Sequence, residues 1–253
     1  MRVAILAGGR GTRLRASGEP RPKPLVPVGT DPIVWHVLRM FGAQGIRHSV
    51  LALGHRADEV ARGVTDCAGC PAPPPDRSLR IPVAEWQGSA TLVDTGDDTE
   101  PGGRIRRLLP HLRAEPFLLA WCDGLSDLDV ARLVAFHRAR GPLVTVVAVR
   151  PPSRFGHLTL EGDRVAAFVE KPEQVDCWVS GGIFMVEPTV AGHLHDDRTS
   201  WDRDVLPRLA ADGALAAYRH HGFWRCLDDA HDRDALERLW AHGTAPWRMR
   251  EAA

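Results

Sequence analysis

Apolar positions along the chain follow two alternating rhythms. Val3-Ala4-Ile5-Leu6-Ala7 is a short, wholly apolar run that stops at Gly8-Gly9. A run with no polar face predicts a strand buried on both sides, as in a parallel sheet covered by helices. Ser49–Leu53, Phe117–Trp121 and Leu143–Val149 have the same character. Between these runs the spacing becomes helical. Ile33, Val34, Val37, Leu38 and Phe41 predict a helix over Pro32–Gln44, with Asp31 as its N-cap and Pro32 in its first turn. Asp58–Gly63, Gly102–Leu112, Asp129–Arg140, 202–211 and 229–242 predict further helices. Leu79–Glu85 and 181–186 read as strands, and 157–169 as a hairpin turning at Glu161-Gly162-Asp163. Residues 10–31, rich in Arg, Gly and Pro, read as a loop, and 66–78 as a Pro-rich linker.

This alternation predicts an α/β fold: a doubly wound, Rossmann-like, mostly parallel central sheet with a small β insertion. No internal repeat or break in composition divides residues 1–253, so one domain is expected, with 66–88 as a variable loop. In such sheets ligands sit outside the carboxyl ends of strands. That rule selects the loop after Ala7 and the turn after Trp121.

Composition narrows the partners. The chain carries 32 basic and 32 acidic residues, so the basic excess of a nucleic-acid binder is missing. No apolar run approaches the ~18 residues of a membrane span, and none is expected. Five cysteines, Cys67, Cys70, Cys122, Cys177 and Cys226, with no leader-like segment, predict a reducing cytoplasm. Cys67 and Cys70 have CxxC spacing but no second pair to complete a zinc site, and prolines follow, so a plain loop is expected. Of the 32 basic residues only Lys23 and Lys171 are lysines; both precede proline. A background so biased to Arg marks these two for chemistry that needs a compact point charge on a thin stem.

Four loops carry candidate chemistry. Leu6-Ala7-Gly8-Gly9-Arg10-Gly11-Thr12-Arg13-Leu14 follows a strand and lets backbone N–H groups approach phosphates. It lacks the third glycine of a dinucleotide fingerprint and the Gly-Lys-Ser/Thr of a P-loop. Three glycines, the Thr12 hydroxyl, Arg13 and Lys23 instead suggest a polyphosphate cradle with a mobile lid. Asp123, directly after an apolar strand, suits a divalent cation better than packing, because an unpaired buried charge is costly. Asp228 has a similar apolar lead-in and is either the second carboxylate or the N-cap of the helix that follows. Glu170-Lys171 closes a strand as an edge salt bridge or a phosphate ligand. Gly102-Gly103-Arg104 is a turn with a surface Arg or an anion-binding helix entrance.

Together these loops resemble the sugar-1-phosphate nucleotidylyltransferases. Their signature, Gly-Gly-x-Gly-Thr-Arg-Leu and then Pro-Lys-Pro, stands at Gly8–Leu14 and Pro22–Pro24. Thr91–Gly96 with Gly102–Arg104, Asp123–Asp129, Arg154-Phe155-Gly156, Glu170–Pro172, Gly222–Trp224 and the ending Leu239–Trp247 are similar to the branch that joins CTP to glucose 1-phosphate. The likeness implies a nucleotidyltransferase fold of the GT-A type and a Mg²⁺-dependent transfer of a cytidylyl group to a sugar-1-phosphate. It implies nucleotide contacts from Leu6, Ala7, Gly8, Gly9, Gly11, Thr12, Arg13, Lys23, Thr99, Arg104 and Cys122. It implies Mg²⁺ on Asp123 and Asp228, and a sugar phosphate held by Lys171, with Glu170, Ser180 and Gly181 near the sugar. Arg13, Lys23, Asp123, Lys171 and Asp228 are the expected catalytic set, and a homo-oligomer is expected. The alternatives are the same chemistry with another NTP or sugar-1-phosphate, and a non-catalytic nucleotide sensor. Cys122 stands where the branch has Gly before the metal Asp, Ser180 where it has Asn, and Asp31 where it has Lys; residues 66–88 are shorter than usual.

Overall fold

A computed structural model describes residues 1–16, 18–70, 78–153, 155–170 and 177–248, without the side chains of Arg13, Ser78 and Leu79. Its core is one eight-stranded sheet. The strand order is Leu215–Arg219, Val144–Val149, Val179–Val186, Phe117–Trp121, Val3–Leu6, His48–Leu53, Gly88–Asp94, Ser78–Val83. Val3–Leu6 lies parallel to both of its neighbours. Only Val179–Val186 and the edge strand Ser78–Val83 run against the others, so the sheet is mostly parallel. The carboxyl ends of the parallel strands therefore share one rim.

The absence of a polar face on the central strands has a direct cause. Successive side chains point to opposite sides, and both sides are covered. Val3, Ile5, Leu118 and Ala120 join the core that holds helix Ile33–Gly42. Ala4, Phe117 and Leu119 join Ile105 and Leu108 of helix Pro101–Leu112 and the buried Trp201 on the other face.

Several boundaries differ from expectation. Residues 10–31 are not one loop: Thr12–Ala16 is a short helix, Lys23–Leu25 a 3-10 turn, and Pro27–Val28 pairs with Asp31–Pro32. Leu14, Val26 and Val28 order this segment by burying themselves in the core, a long-range effect that local glycines and prolines conceal. Asp31 does not cap the helix. Its pairing with Val28 leaves the extended Pro32 at the cap position, and the carboxylate takes Arg39 Nη1 at 2.6 Å instead. Helix Ala57–Cys67 runs into the start of the expected 66–78 linker, of which 71–77 lie outside the described residues. The strand expected to reach Glu85 ends at Val83, where a 3-10 turn begins. Gly88–Asp94, given no element from the sequence, is a full sheet strand ordered by neighbours on both sides. Leu215–Arg219 adds an unforeseen edge strand, and the helix expected from 202 begins at Leu206, after a π-turn at Trp201–Val205. The β insertion is the hairpin His157–Glu161 with Arg164–Val169, whose exposed face carries Leu158, Leu160 and Phe168. Among the described residues no helix is long and apolar enough to cross a membrane.

Candidate active site

Sheet register brings the first two chemical loops together. Leu6 and Trp121 are partners in adjacent parallel strands, and Cys122 N–H donates to the Leu6 carbonyl at 3.2 Å. Ala7 N–H donates to Ala52 at 2.9 Å, still within the ladder. Beyond it the glycine loop turns away, with the Gly8 carbonyl accepting from His55 N–H at 3.2 Å. A side chain at Gly8 would collide with the Arg104 guanidinium, and Gly11 takes φ +57°, where a Cβ would lie 3.2 Å from the Lys23 Cβ. Glycine is required at both positions for close packing and a left-handed turn.

Asp228 reaches Asp123 through a second device. Gly124–Ser126 pairs antiparallel with Trp224–Cys226, Gly124 opposite Cys226. Leu227 N–H then donates to the Asp123 carbonyl at 2.9 Å, so the next residue, Asp228, emerges beside Asp123. The N-cap of helix Ala230–Ala241 is Asp229, which accepts from Asp232 N–H at 3.0 Å, and not Asp228. The Asp228 carboxylate faces Lys23 instead.

Lys23 Nζ contacts Asp123 Oδ2 and lies 2.6 Å from Asp228 Oδ1. The three side chains are 17%, 15% and 23% exposed. Burial alone would lower the lysine pKa, but the Asp123 and Asp228 carboxylates outweigh it and hold the ammonium above its ordinary range. Both carboxylates can reach one cation. Burial, with the Asp123 charge second, pushes the Cys122 thiol up to about 12. Burial and then Asp228 push Cys226 likewise to about 12. Neither adds a thiolate to the pair. Among the described residues no group of three or more His, Cys, Asp or Glu could hold a metal. Two carboxylates that leave other positions open suit Mg²⁺, which takes oxygen ligands and completes its shell with phosphates and water.

Beside this cluster lies a cavity of about 460 Å³ lined by Leu6, Gly8, Gly9, Lys23, Thr99, Arg104, Trp121, Cys122 and Asp123, among others. A smaller concavity of about 180 Å³ is lined by Gly11, Thr12, Leu14, Lys23 and Asp228. Lys23 borders both. Arg104 is buried, and its guanidinium donates to Leu53 O at 3.0 Å, Thr95 Oγ1 at 2.7 Å, Gly96 O at 2.8 Å and Asp97 O at 3.2 Å. Burial lowers its pKa. Thr99 Oγ1 donates to Thr95 O at 2.5 Å and so offers an incoming group only acceptor capacity.

Ser180 and Gly181 lie where the pairing of Val179–Val186 with Val144–Val149 slips register, with Gly182 at φ +69°. The Gly181 carbonyl accepts from Trp224 Nε1 at 2.8 Å, tying this bulge to the ribbon that carries Asp123 and Asp228. Ser180 Oγ accepts from Gly182 N–H at 3.3 Å. Glu170 follows the exposed hairpin. Lys171 and Arg154 lie outside the described residues, as does the side chain of Arg13, whose backbone is in helix Thr12–Ala16. Arg10, within the Leu6–Arg13 loop, also lines the larger cavity, as do Asp98 and Asp202, which sequence reasoning missed. Arg10 Nη2 donates to Asp98 Oδ1 at 2.7 Å, joining two loops. Asp98 lies between the marked stretches Thr91–Gly96 and Gly102–Arg104, whereas nothing near Asp202 in sequence signals its place.

The nucleotidyl transferase family model matches residues 2–227. Glucose-1-phosphate cytidylyltransferase of Salmonella typhi is 35% identical, with 99% of this chain and 100% of that protein covered. The probable glucose-1-phosphate cytidylyltransferase of Bacillus subtilis (strain 168) is 30% identical, covering 98% and 100%. Among solved structures, HddC from Yersinia pseudotuberculosis shares the fold, with a TM-score of 0.72 at 20% identity, covering 94% of this chain and 99% of that one.

Proposed function

The chain belongs to the nucleotidyl transferase family, among the sugar-1-phosphate nucleotidylyltransferases, and we propose that it transfers a cytidylyl group from CTP to α-D-glucose 1-phosphate, releasing pyrophosphate. One observation carries the reading at the site: an ammonium and two carboxylates converge beside a cavity opened by Gly8 and Gly9. Family membership alone leaves a non-catalytic sensor open, and this cluster has little use in one.

An oxygen of the sugar phosphate attacks the α-phosphorus in line. A P–O bond forms there, the bond to the bridging oxygen of the β-phosphate breaks, and the electron pair leaves with pyrophosphate. A phosphate monoester is already a competent nucleophile, so no general base and no covalent enzyme intermediate are needed. Rate comes from positioning and charge neutralisation. Leu6 to Arg13 hold the nucleotide, with backbone N–H groups of Gly8, Gly9 and Gly11 turned to phosphate oxygens. Cys122 and Thr99 border it, and Arg104 holds its walls. Arg13 and Lys23 offset charge on the leaving pyrophosphate. Lys171 holds the acceptor phosphate, with Glu170, Ser180 and Gly181 at the sugar. Mg²⁺ on Asp123 and Asp228 supplies further charge neutralisation at the phosphates when bound.

Five free thiols support a cytoplasmic setting. The apolar face of the hairpin, with Phe168 61% exposed, supports a homo-oligomer.

Pyrophosphate release is measured with CTP, UTP, dTTP, ATP and GTP, each with glucose 1-phosphate. Release with CTP is expected. Release only with another nucleotide, or only with another sugar-1-phosphate, replaces the substrate and keeps the chemistry. Nucleotide binding without release under any pairing establishes the sensor.

A further inference from the structure

Lys23 is anchored through its backbone. Pro22 and Pro24 flank it, Val26 N–H donates to its carbonyl at 3.2 Å, and Gly11 packs against its stem. The rest of the side chain is a four-carbon rod whose tip ends on Asp123 and Asp228. The ammonium thus stands on the carboxylate oxygens that a divalent cation needs. The described side chains in this contact, two carboxylates and one ammonium, sum to a single negative charge. A divalent ion added with the ammonium in place would set two cations against the same oxygens, and they repel. The tip has somewhere else to go, since Lys23 borders both concavities beside the glycine loop.

Resting on the metal assignment above, we propose that Lys23 is an internal counter-ion: it holds the metal position on Asp123 and Asp228 until a nucleoside triphosphate arrives, then exchanges the carboxylates for phosphate oxygens. Metal alone binds poorly, and metal and triphosphate enter together. This explains a lysine in a chain otherwise stocked with arginine. A planar guanidinium would lock onto the carboxylates through paired hydrogen bonds, whereas a compact ammonium slides between anions.

The test is Mn²⁺ binding to the full-length, nucleotide-free protein by calorimetry, with CTP binding measured separately. Lys23→Met is expected to bind Mn²⁺ about tenfold or more tighter than wild type. Mg²⁺ is expected to raise the Tm of Lys23→Met and leave that of wild type unchanged. Lys23→Gln, which keeps a polar tip without charge, serves if Lys23→Met does not fold. Adding Asp123→Asn to either variant should remove the gain. Equal Mn²⁺ affinity in wild type and variant overturns the exchange and leaves the metal assignment standing. No Mn²⁺ binding by either variant overturns both, while CTP binding still reports on the nucleotide site.

Discussion

The cluster of Lys23, Asp123 and Asp228 hangs on the middle of an eight-stranded sheet, whereas the segment that leads to Glu170 is a hairpin of two strands. On the first side Asp123 follows a strand with neighbours on both edges, Asp228 is tied to it by a backbone hydrogen bond from Leu227, and the charged groups are largely shielded from water. On the second side, Leu158, Leu160, Val165 and Phe168 lie open, and an isolated two-stranded sheet is marginal by itself. The polyphosphate side demands fixed charges at fixed spacing, which a rigid scaffold supplies. The proposed acceptor side is mixed, with Ser180 and Gly181 on the central sheet and Glu170 at the end of the exposed hairpin.

The largest expected break is at the rigid side. Asp123→Asn should cut turnover by about 10²–10³-fold while the circular dichroism melt stays cooperative, since a charged ligand is lost at the phosphates. Near-normal pyrophosphate release would remove Asp123 from the site. Arg104→Met should cost about 1–3 kcal/mol of stability in urea unfolding and raise the KM for CTP, because a buried guanidinium that holds four acceptors, two of them buried, is lost. Unchanged stability would mean that the loops do not depend on it.

Lys171→Arg sharpens the contrast from the acceptor side. The KM for sugar phosphate should rise roughly tenfold, about 1.4 kcal/mol, with CTP binding unchanged. Equal loss of both would place Lys171 elsewhere. Phe168→Ser should change stability by less than about 0.5 kcal/mol yet lower the mass seen by light scattering, because an exposed residue contributes to a partner rather than to its own fold. An unchanged mass would separate the hairpin from any assembly.

The smallest effect concerns acid. Asp197 binds Arg106 and Arg107 of the helix that carries Arg104, and these contacts lower its pKa to about 2. A depressed carboxyl pKa stabilises the fold above the unfolded value near 3.9, and that contribution fades as pH falls toward 2. Asp197→Asn should lower stability slightly at neutral pH, flatten the curve between pH 4 and pH 2, and converge with wild type near pH 2. A curve identical to wild type between pH 4 and pH 2 would show that the ion pairs do not bind the helix.

Local chemistry was legible in the chain because it is written locally. Wholly apolar runs marked the buried strands, glycines after Ala7 marked the loop where Gly8 packs against Arg104 and Gly11 against Lys23, and the scarcity of lysine singled out Lys23. These follow from side-chain period, backbone freedom and charge type, each of which needs only neighbouring residues. Pairing of Asp123 with Asp228 depended on a ribbon between distant segments, and a single residue of register made Asp229, not Asp228, the cap. Gly88–Asp94 became a strand because partners stood on both sides, and Arg104 turned inward because the end of strand His48–Leu53 and the loop after Asp94 offered it acceptors. Only tertiary structure could decide such matters, since a carboxylate or a guanidinium takes its role from the groups that long-range packing sets against it.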